Sequence, residues 1–181
     1  MAPTAEPPTP RPPIVQLKRG HWPFVRWSYA KAYTYNFFSS DVAIDPDWRD
    51  AYQIELLNET GAWNHSIRSE LVMPQAQALK IAQLVNSTKG SYISSECAFF
   101  PRHGVVYFDQ KDKPVARLEV CFQCSDIKAW PDFAMSPVKY DNDRLRTAFD
   151  AALPRYKAIF KDLGEPVDWK DDPRPSPLAP H

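Results

Sequence analysis

Four residues of the chain could together hold a metal ion. Cys97, His103, Cys121 and Cys124 form the pattern C-x5-H-x17-C-x2-C. Thiolate sulfur and neutral imidazole nitrogen are the ligands that tetrahedral zinc takes most readily. The closely spaced pair could present two sulfurs to one ion. One hypothesis is therefore a zinc-binding protein with one zinc ion as cofactor; the others need no cofactor.

The same cysteines allow two other interpretations. Cys121 and Cys124 could form a redox-active dithiol/disulfide pair, with Cys97 able to join the exchange. All three could instead be buried core residues, since cysteine often behaves as a small apolar side chain. Residues i and i+3 of a continuous strand point to opposite faces. Cys121 and Cys124 therefore converge only if the strand ends or bends between them.

The residues before the pair could bind an anion. Arg102, His103 and Gly104 are predicted to form a tight polar turn that leads into a buried strand. In a functional interpretation Arg102 binds a carboxylate and His103 is a base or a metal ligand. In a structural interpretation both side chains make local hydrogen bonds.

Periodicity places this segment in a sheet. Two apolar runs, 105–108 and 115–122, flank a charged turn at 109–114 and predict an antiparallel hairpin whose first strand is central. Apolar spacing and the positions of proline and glycine predict the neighbouring elements. These are strands at 14–19, 66–72 and 125–130, a helix at 74–87, and a helix at 141–163 that Pro154 kinks or splits. Residues 45–57 could begin a helix, although 51–57 could equally be a strand.

An aromatic stretch could bind a partner. Val25, Trp27, Tyr29, Tyr33, Tyr35 and Phe37 fall on alternate positions, a pattern typical of a strand with one aromatic face. The face could be core. It could also be a surface that binds a peptide, with Trp27, Tyr29, Tyr33, Tyr35 and Arg102 as the binding residues.

The motif around the cysteines resembles that of a group of small bacterial proteins of unknown activity. Their pattern is roughly C-F-x-P-R-H-G followed by I/V-C-F-x-C, and Glu119-Val-Cys-Phe-Gln-Cys124 matches the second half. Cys97-Ala-Phe-Phe-Pro101 has one residue more than the first half requires. The resemblance covers about residues 66–163 and implies the fold, with no activity attached.

Composition excludes several classes of function. Lys and Arg number 22 and Asp and Glu number 22, so no net charge attracts nucleic acid or an anionic membrane. Residues 1–13 carry no apolar signal region, and no run reaches the length of a membrane span. We therefore expect a cytoplasmic protein with reduced thiols. No familiar catalytic motif is present, and we assign no catalytic residue.

These observations predict a single α+β domain over residues 14–165. A proline-rich arm at 1–13 and a proline-rich tail at 166–181 flank it. The fold should be a mainly antiparallel sheet of four to six strands with two or three helices on one face. The function we predict is a non-enzymatic accessory protein that binds a peptide or protein partner through the aromatic face, for example a precursor peptide in a bacterial biosynthetic pathway. The alternatives are the zinc protein and the thiol redox protein.

Overall fold

The fold is an antiparallel five-stranded sheet with two helices, which confirms the predicted α+β class. A computed structural model describes residues 13–37, 53–88, 99–132 and 142–172. The strands are β1 (Tyr29–Thr34), β2 (Ser69–Val72), β3 (His103–Phe108), β4 (Pro114–Cys121) and β5 (Asp126–Trp130). They lie in the order β2-β1-β3-β4-β5. The predicted hairpin is β3–β4, and β3 is the central strand.

Both helices pack on one face of this sheet, as predicted. Helix α1 spans Gln75–Thr88 and helix α2 spans Asn142–Asp162. The apolar core between helices and sheet combines alternate residues of the strands with one stripe of each helix. Its members include Ala30, Ala32, Val105, Tyr107, Leu118, Val120, Ile127, Ile81, Val85, Phe149, Tyr156 and Phe160. We call this the helix face of the sheet.

Helix α2 remains a single helix, although Pro154 lies inside it. It ends in the way that its Gly-containing terminus predicts. Gly164 has φ +80°, the Gly164 amide donates to Lys161 O, and the Glu165 amide donates to Phe160 O. These two bonds form a Schellman motif, which requires the left-handed conformation that glycine adopts without strain.

The opposite face of the sheet is covered by the chain itself. Leu56 and the partly buried Trp63 and Ile67 pack on sheet residues of this face: Tyr33, Tyr35, Val106 and Phe108. We call residues 53–67 the covering segment. Its only β-pairing among the described residues is a bridge between Leu57 and Trp63, and residues 53–57 form no helix. The predicted helix is therefore wrong over 53–57, and positions 45–52 lie outside the described residues.

Some predicted boundaries differ from the structure, among them the start of β2, predicted at 66 and observed at Ser69. Residues 14–19 form only one bridge, between Val15 and Trp27, and the aromatic strand shortens to β1. Residues 165–172, most of which were assigned to the tail, contain a short 3-10 helix at Trp169–Asp171. Glu165 is buried there, and Asp172 forms a buried ion pair. The packed structure thus extends beyond residue 165.

Within the described ranges, no helix combines the length and the apolar character that crossing a bilayer requires.

Candidate functional site

The sheet separates the predicted zinc ligands. His103 pairs with Val120 across β3 and β4, and Gly104 pairs with Glu119. Paired residues share a face and successive residues alternate, so His103 lies on the helix face while Cys121 lies on the covered face. In this fold the side chains of His103 and Cys121 therefore point to opposite faces of the sheet, and the four-residue zinc set stays a prediction. Cys97 lies outside the described residues.

The buried side chain of His103 links β3 to the residues after α2. Its side chain is buried among the rings of Phe37, Phe122 and Phe160, at centroid distances of 5.3, 4.8 and 4.8 Å. Nε2 lies 2.8 Å from Pro166 O, and a carbonyl only accepts, so Nε2 carries the proton and donates it. Burial lowers the pKa of His103 to about 4. The neutral ring therefore fastens residues after α2 to the sheet.

The backbone meets the geometric condition for Cys121 and Cys124. Strand β4 ends at Cys121, and residues 122–125 form a turn in which Ser125 has φ 59°. The two cysteines are nevertheless not bonded to each other. Cys121 is a buried free thiol, whereas Cys124 is disulfide-bonded. The expectation of reduced thiols is wrong for Cys124.

No other metal-binding group is evident in the part of the chain that the structure describes. Those residues contain no cluster of three or more His, Cys, Asp or Glu side chains placed to hold an ion.

Arg102 is buried, and its guanidinium forms hydrogen bonds within the chain, so it is not an exposed anion-binding group. Its Nε donates to Asn36 O at 3.2 Å, and its Nη1 donates to Gln123 Oε1 at 3.0 Å. The guanidinium also lies over the Phe100 ring, 4.9 Å from its centroid. Arg102 is buried, and it precedes β3 without forming the predicted turn, since His103 and Gly104 already belong to that strand. It therefore ties the end of β1 to the turn after β4.

The aromatic residues form no common exposed surface. Trp27 packs edge-to-face on Tyr107 of the helix face, with centroids 5.0 Å apart. Tyr33 and Tyr35 are buried under the covering segment on the other face. Tyr29 is partly buried and stacks on Phe108 at 5.0 Å. The structural alternative, an aromatic core, is therefore the one observed, and these residues bury two faces of the sheet.

A buried polar cluster lies on the covered face, and the sequence analysis missed it. Glu119 is fully buried; its Oε1 accepts from the Leu56 amide at 2.8 Å and lies 3.8 Å from Arg117 Nε. Burial raises the pKa of Glu119 to about 7. Among the described residues, neither Glu119 Oε2 nor the Tyr35 hydroxyl has a hydrogen-bond partner. The sequence signal that could have indicated this cluster is Glu119 itself, a charged residue within the apolar run of β4.

Gly104 makes room for this cluster. A Cβ on Gly104 would lie 2.5 Å from Leu56 Cδ2 and 3.2 Å from Leu118 O. The first distance is shorter than real Cβ contacts and the second is a tight one, so a side chain at position 104 would force Leu56 of the covering segment to shift.

Strand β2 is the accessible edge of the described sheet. The Met73 amide donates to Ala30 O at 2.9 Å. With the register of the two strands, this bond shows which residues of β2 are hydrogen-bonded to β1. Because backbone groups alternate in direction, those of Glu70 and Val72 point away from the sheet. Both residues are exposed, and Val72 is 67% exposed. Strand β5, at the other edge, is buried except for Lys128 and Trp130.

Comparisons with known proteins add no assignment, since no protein-family model, curated protein or solved structure matches the chain. The resemblance to the bacterial group rests on the quoted motif alone.

Proposed function

We propose that the protein is a non-enzymatic binding protein that takes up an extended polypeptide segment along the outer edge of β2. The observation that carries this proposal is the outward direction of the backbone groups of Glu70 and Val72, both exposed. An extended peptide that adds to a sheet edge gains main-chain hydrogen bonds there. Its specificity comes from alternate side chains beside the edge. The proposed binding surface is therefore the outer edge of β2, next to β1, in place of the aromatic face that the sequence predicted.

The edge favours a short segment over a folded partner. Strand β2 has 4 residues, a length of roughly 13 Å. Pairing over that length buries much less than the roughly 1,200–2,000 Å² of a stable protein–protein interface. A flexible peptide fits this size better than a second copy of the chain. A precursor peptide in a bacterial biosynthetic pathway is one segment of this kind.

The side chains at the edge define what the segment should contain. Val72 is exposed and lies across from Lys31 in the register with β1. Lys31 forms an ion pair with Glu70, so both charges at this edge are already matched within the chain. An apolar residue placed beside Val72 would bury its exposed surface without opposing a charge. We therefore expect the bound segment to be extended, with a β-branched or aromatic residue beside Val72.

The test is selection of displayed random peptides of about eight residues, a typical strand length, on the purified full chain. We expect the selected peptides to shift the amide resonances of Glu70 and Val72, and to bind about tenfold more weakly to V72K, because lysine blocks strand addition. The matched controls are V72T, which keeps a β-branched residue at the edge, and V25K, which changes another exposed valine. Both should bind normally. Equal binding to V72K, or shifts confined to other residues, would contradict the proposal.

A bound zinc ion is the alternative that needs the simplest test. His103 and Cys121 lie on opposite faces of the sheet, and this separation favours a protein that binds no zinc through the four predicted ligands. Metal analysis of tag-free protein should give less than about 0.1 equivalent of zinc, since structural zinc binds tightly and would survive purification. Stoichiometric zinc that C121S loses would restore the zinc hypothesis.

A further inference from the structure

We propose that Asn58 is an acceptor for N-linked glycosylation in the folded chain, with Nδ2 as the atom that takes the oligosaccharide. The sequence has three Asn-x-Ser/Thr motifs, which begin at Asn58, Asn64 and Asn86. N-glycosylation requires this motif, with a middle residue other than proline, on the surface of the protein. The three motifs differ in the access that the fold gives to the asparagine nitrogen. The modification is separate from the polypeptide binding proposed for β2.

The amide nitrogen of Asn58 is free. Asn58 is half-buried in the covering segment, and residues 59–62 that follow it are exposed. Its Oδ1 accepts from the Thr60 amide at 3.0 Å, the Thr60 hydroxyl at 2.8 Å and the Ala62 amide at 2.9 Å. Its Nδ2 forms no hydrogen bond within the described residues and is not one of their buried unpaired atoms, so it is open to solvent. A sugar can bond to this nitrogen without breaking a hydrogen bond of the fold.

The turn at Asn58 also holds the motif in a defined arrangement with space beside it. The bond from Thr60 Oγ1 to Asn58 Oδ1 places the hydroxyl of the motif next to the amide of the same motif. Gly61 has φ +84°, and no described atom beyond its chain neighbours lies within 4 Å of the position that a Cβ would take there. A bulky group attached to this turn therefore has open space beside it.

Asn64 has the same contact between hydroxyl and amide oxygen, but its nitrogen is already used. Ser66 Oγ lies 2.6 Å from Asn64 Oδ1. Asn64 is 4% exposed, and its Nδ2 donates to Gln53 O at 2.6 Å and to Glu55 O at 3.1 Å. A sugar on Nδ2 would break these bonds and displace residues 53–55. Access to the nitrogen, and not the motif alone, therefore distinguishes Asn58 from Asn64.

Asn86 is closed for a related reason. It lies in α1, and its Nδ2 donates to Trp22 O at 2.9 Å and to Ala82 O at 2.7 Å. The hydroxyl of its motif, Thr88 Oγ1, donates to Leu84 O at 3.1 Å. Both groups of this motif are thus bonded to backbone carbonyls, and neither is available to an enzyme.

The reaction transfers an oligosaccharide from a lipid-linked donor. A bond forms between Asn58 Nδ2 and the anomeric carbon of the sugar, and the bond from that carbon to the pyrophosphate oxygen of the lipid carrier breaks. The lipid pyrophosphate leaves, and Nδ2 gives up one proton. The transfer involves no change of oxidation state, so it needs neither an oxidant nor a reductant.

A second observation agrees with the compartment in which this reaction takes place. Cys124 is disulfide-bonded. Disulfides form and persist in secreted proteins and in the lumen of the endoplasmic reticulum, and they are rare in the cytosol. The Asn-x-Ser/Thr motif is likewise modified in secreted proteins. Both modifications therefore fit one oxidising compartment, in place of the cytoplasm that the composition predicted.

The test compares the folded chain with the same chain unfolded. The purified full chain, with its disulfide intact, is incubated with an oligosaccharyltransferase and its lipid-linked oligosaccharide, beside a reduced and alkylated sample. After trypsin digestion, a peptide N-glycosidase in heavy-oxygen water converts each modified asparagine to a labelled aspartate for mass spectrometry. Trypsin leaves Asn58 and Asn64 in peptide 50–68, where fragment ions distinguish them, and Asn86 in peptide 81–89. We expect the folded chain to be labelled at Asn58 alone and the unfolded chain at all three positions.

Two variants of Thr60 show whether the label depends on the motif. T60A removes the hydroxyl and should lose the label at Asn58, whereas T60S keeps a hydroxyl and should retain it. Circular dichroism and urea denaturation check that both variants fold, as expected for an exposed position. Absence of label at Asn58 in the folded chain would overturn the proposal. Equal labelling of Asn64 or Asn86 in that chain, or an undiminished label in T60A, would overturn it as well.

Discussion

Arg68 and Asp172 form a buried ion pair, with 3.1 Å between Nη1 and Oδ2 and side chains that are 7% and 1% exposed. Arg68 immediately precedes β2, and Asp172 is the last described residue. The pair therefore fastens the segment after α2 to the start of the edge strand. His103 fastens the same segment to β3 through Pro166 O.

Breaking this ion pair should destabilise the fold strongly. R68A leaves the Asp172 carboxylate buried without its cation, and a broken buried pair costs about 3–5 kcal/mol. Urea denaturation measures the loss in the free energy of unfolding. K31A, which breaks the more exposed pair between Lys31 and Glu70, should cost less than about 1 kcal/mol. In a double-mutant cycle with D172N, additive losses would show that the pair is not coupled.

Replacing Gly104 by alanine should destabilise the covered face. The new Cβ would lie 2.5 Å from Leu56 Cδ2, and overpacking of this kind costs about 1–3 kcal/mol. The loss is measured by thermal and urea denaturation of G104A. The double variant G104A/L56A should lose less stability than the sum of the two single variants, because removing the leucine side chain relieves the contact. Strict additivity would show that the contact is not the cause.

Glu119 should make the protein less stable as pH rises. Its pKa is about 7 in the folded state because burial disfavours the carboxylate, and about 4.3 when unfolded. Between these values the folded state binds more protons, so the free energy of unfolding falls with increasing pH, by roughly 4 kcal/mol at most. Urea denaturation from pH 4.5 to 8 should show that the stability of E119Q falls less with rising pH than that of the wild type. A pH profile of E119Q parallel to the wild type would contradict the assignment.

His103 should have the opposite effect over an overlapping range. Its pKa is about 4 in the folded state because the ring is buried, against about 6.5 when unfolded. The unfolded state binds more protons between these values, so stability is lost as pH falls from about 6.5 to 4. The two slopes partly cancel in the wild type. E119Q should therefore expose acid destabilisation, H103Q should expose destabilisation with rising pH, and a flat profile in both variants would disprove the pair of assignments.

Part of this architecture follows from local sequence. The hairpin of β3 and β4 is fixed by two apolar runs around a charged turn, and α1 by its apolar stripe after Pro74. Gly164 ends α2 because glycine tolerates a positive φ. Such features depend on residues a few positions apart, and for that reason periodicity and turn chemistry predicted them.

The candidate sites depended on contacts between residues that are far apart in the sequence. Alternation alone could not show that the covering segment would bury Tyr33 and Tyr35, since that segment packs on the sheet only in the folded chain. The pairing of His103 with Val120 decided that His103 and Cys121 lie on opposite faces. The sequence determined which residue types could do chemistry. Only the tertiary structure decided which of them meet, because strand register and burial arise from contacts between distant parts of the chain.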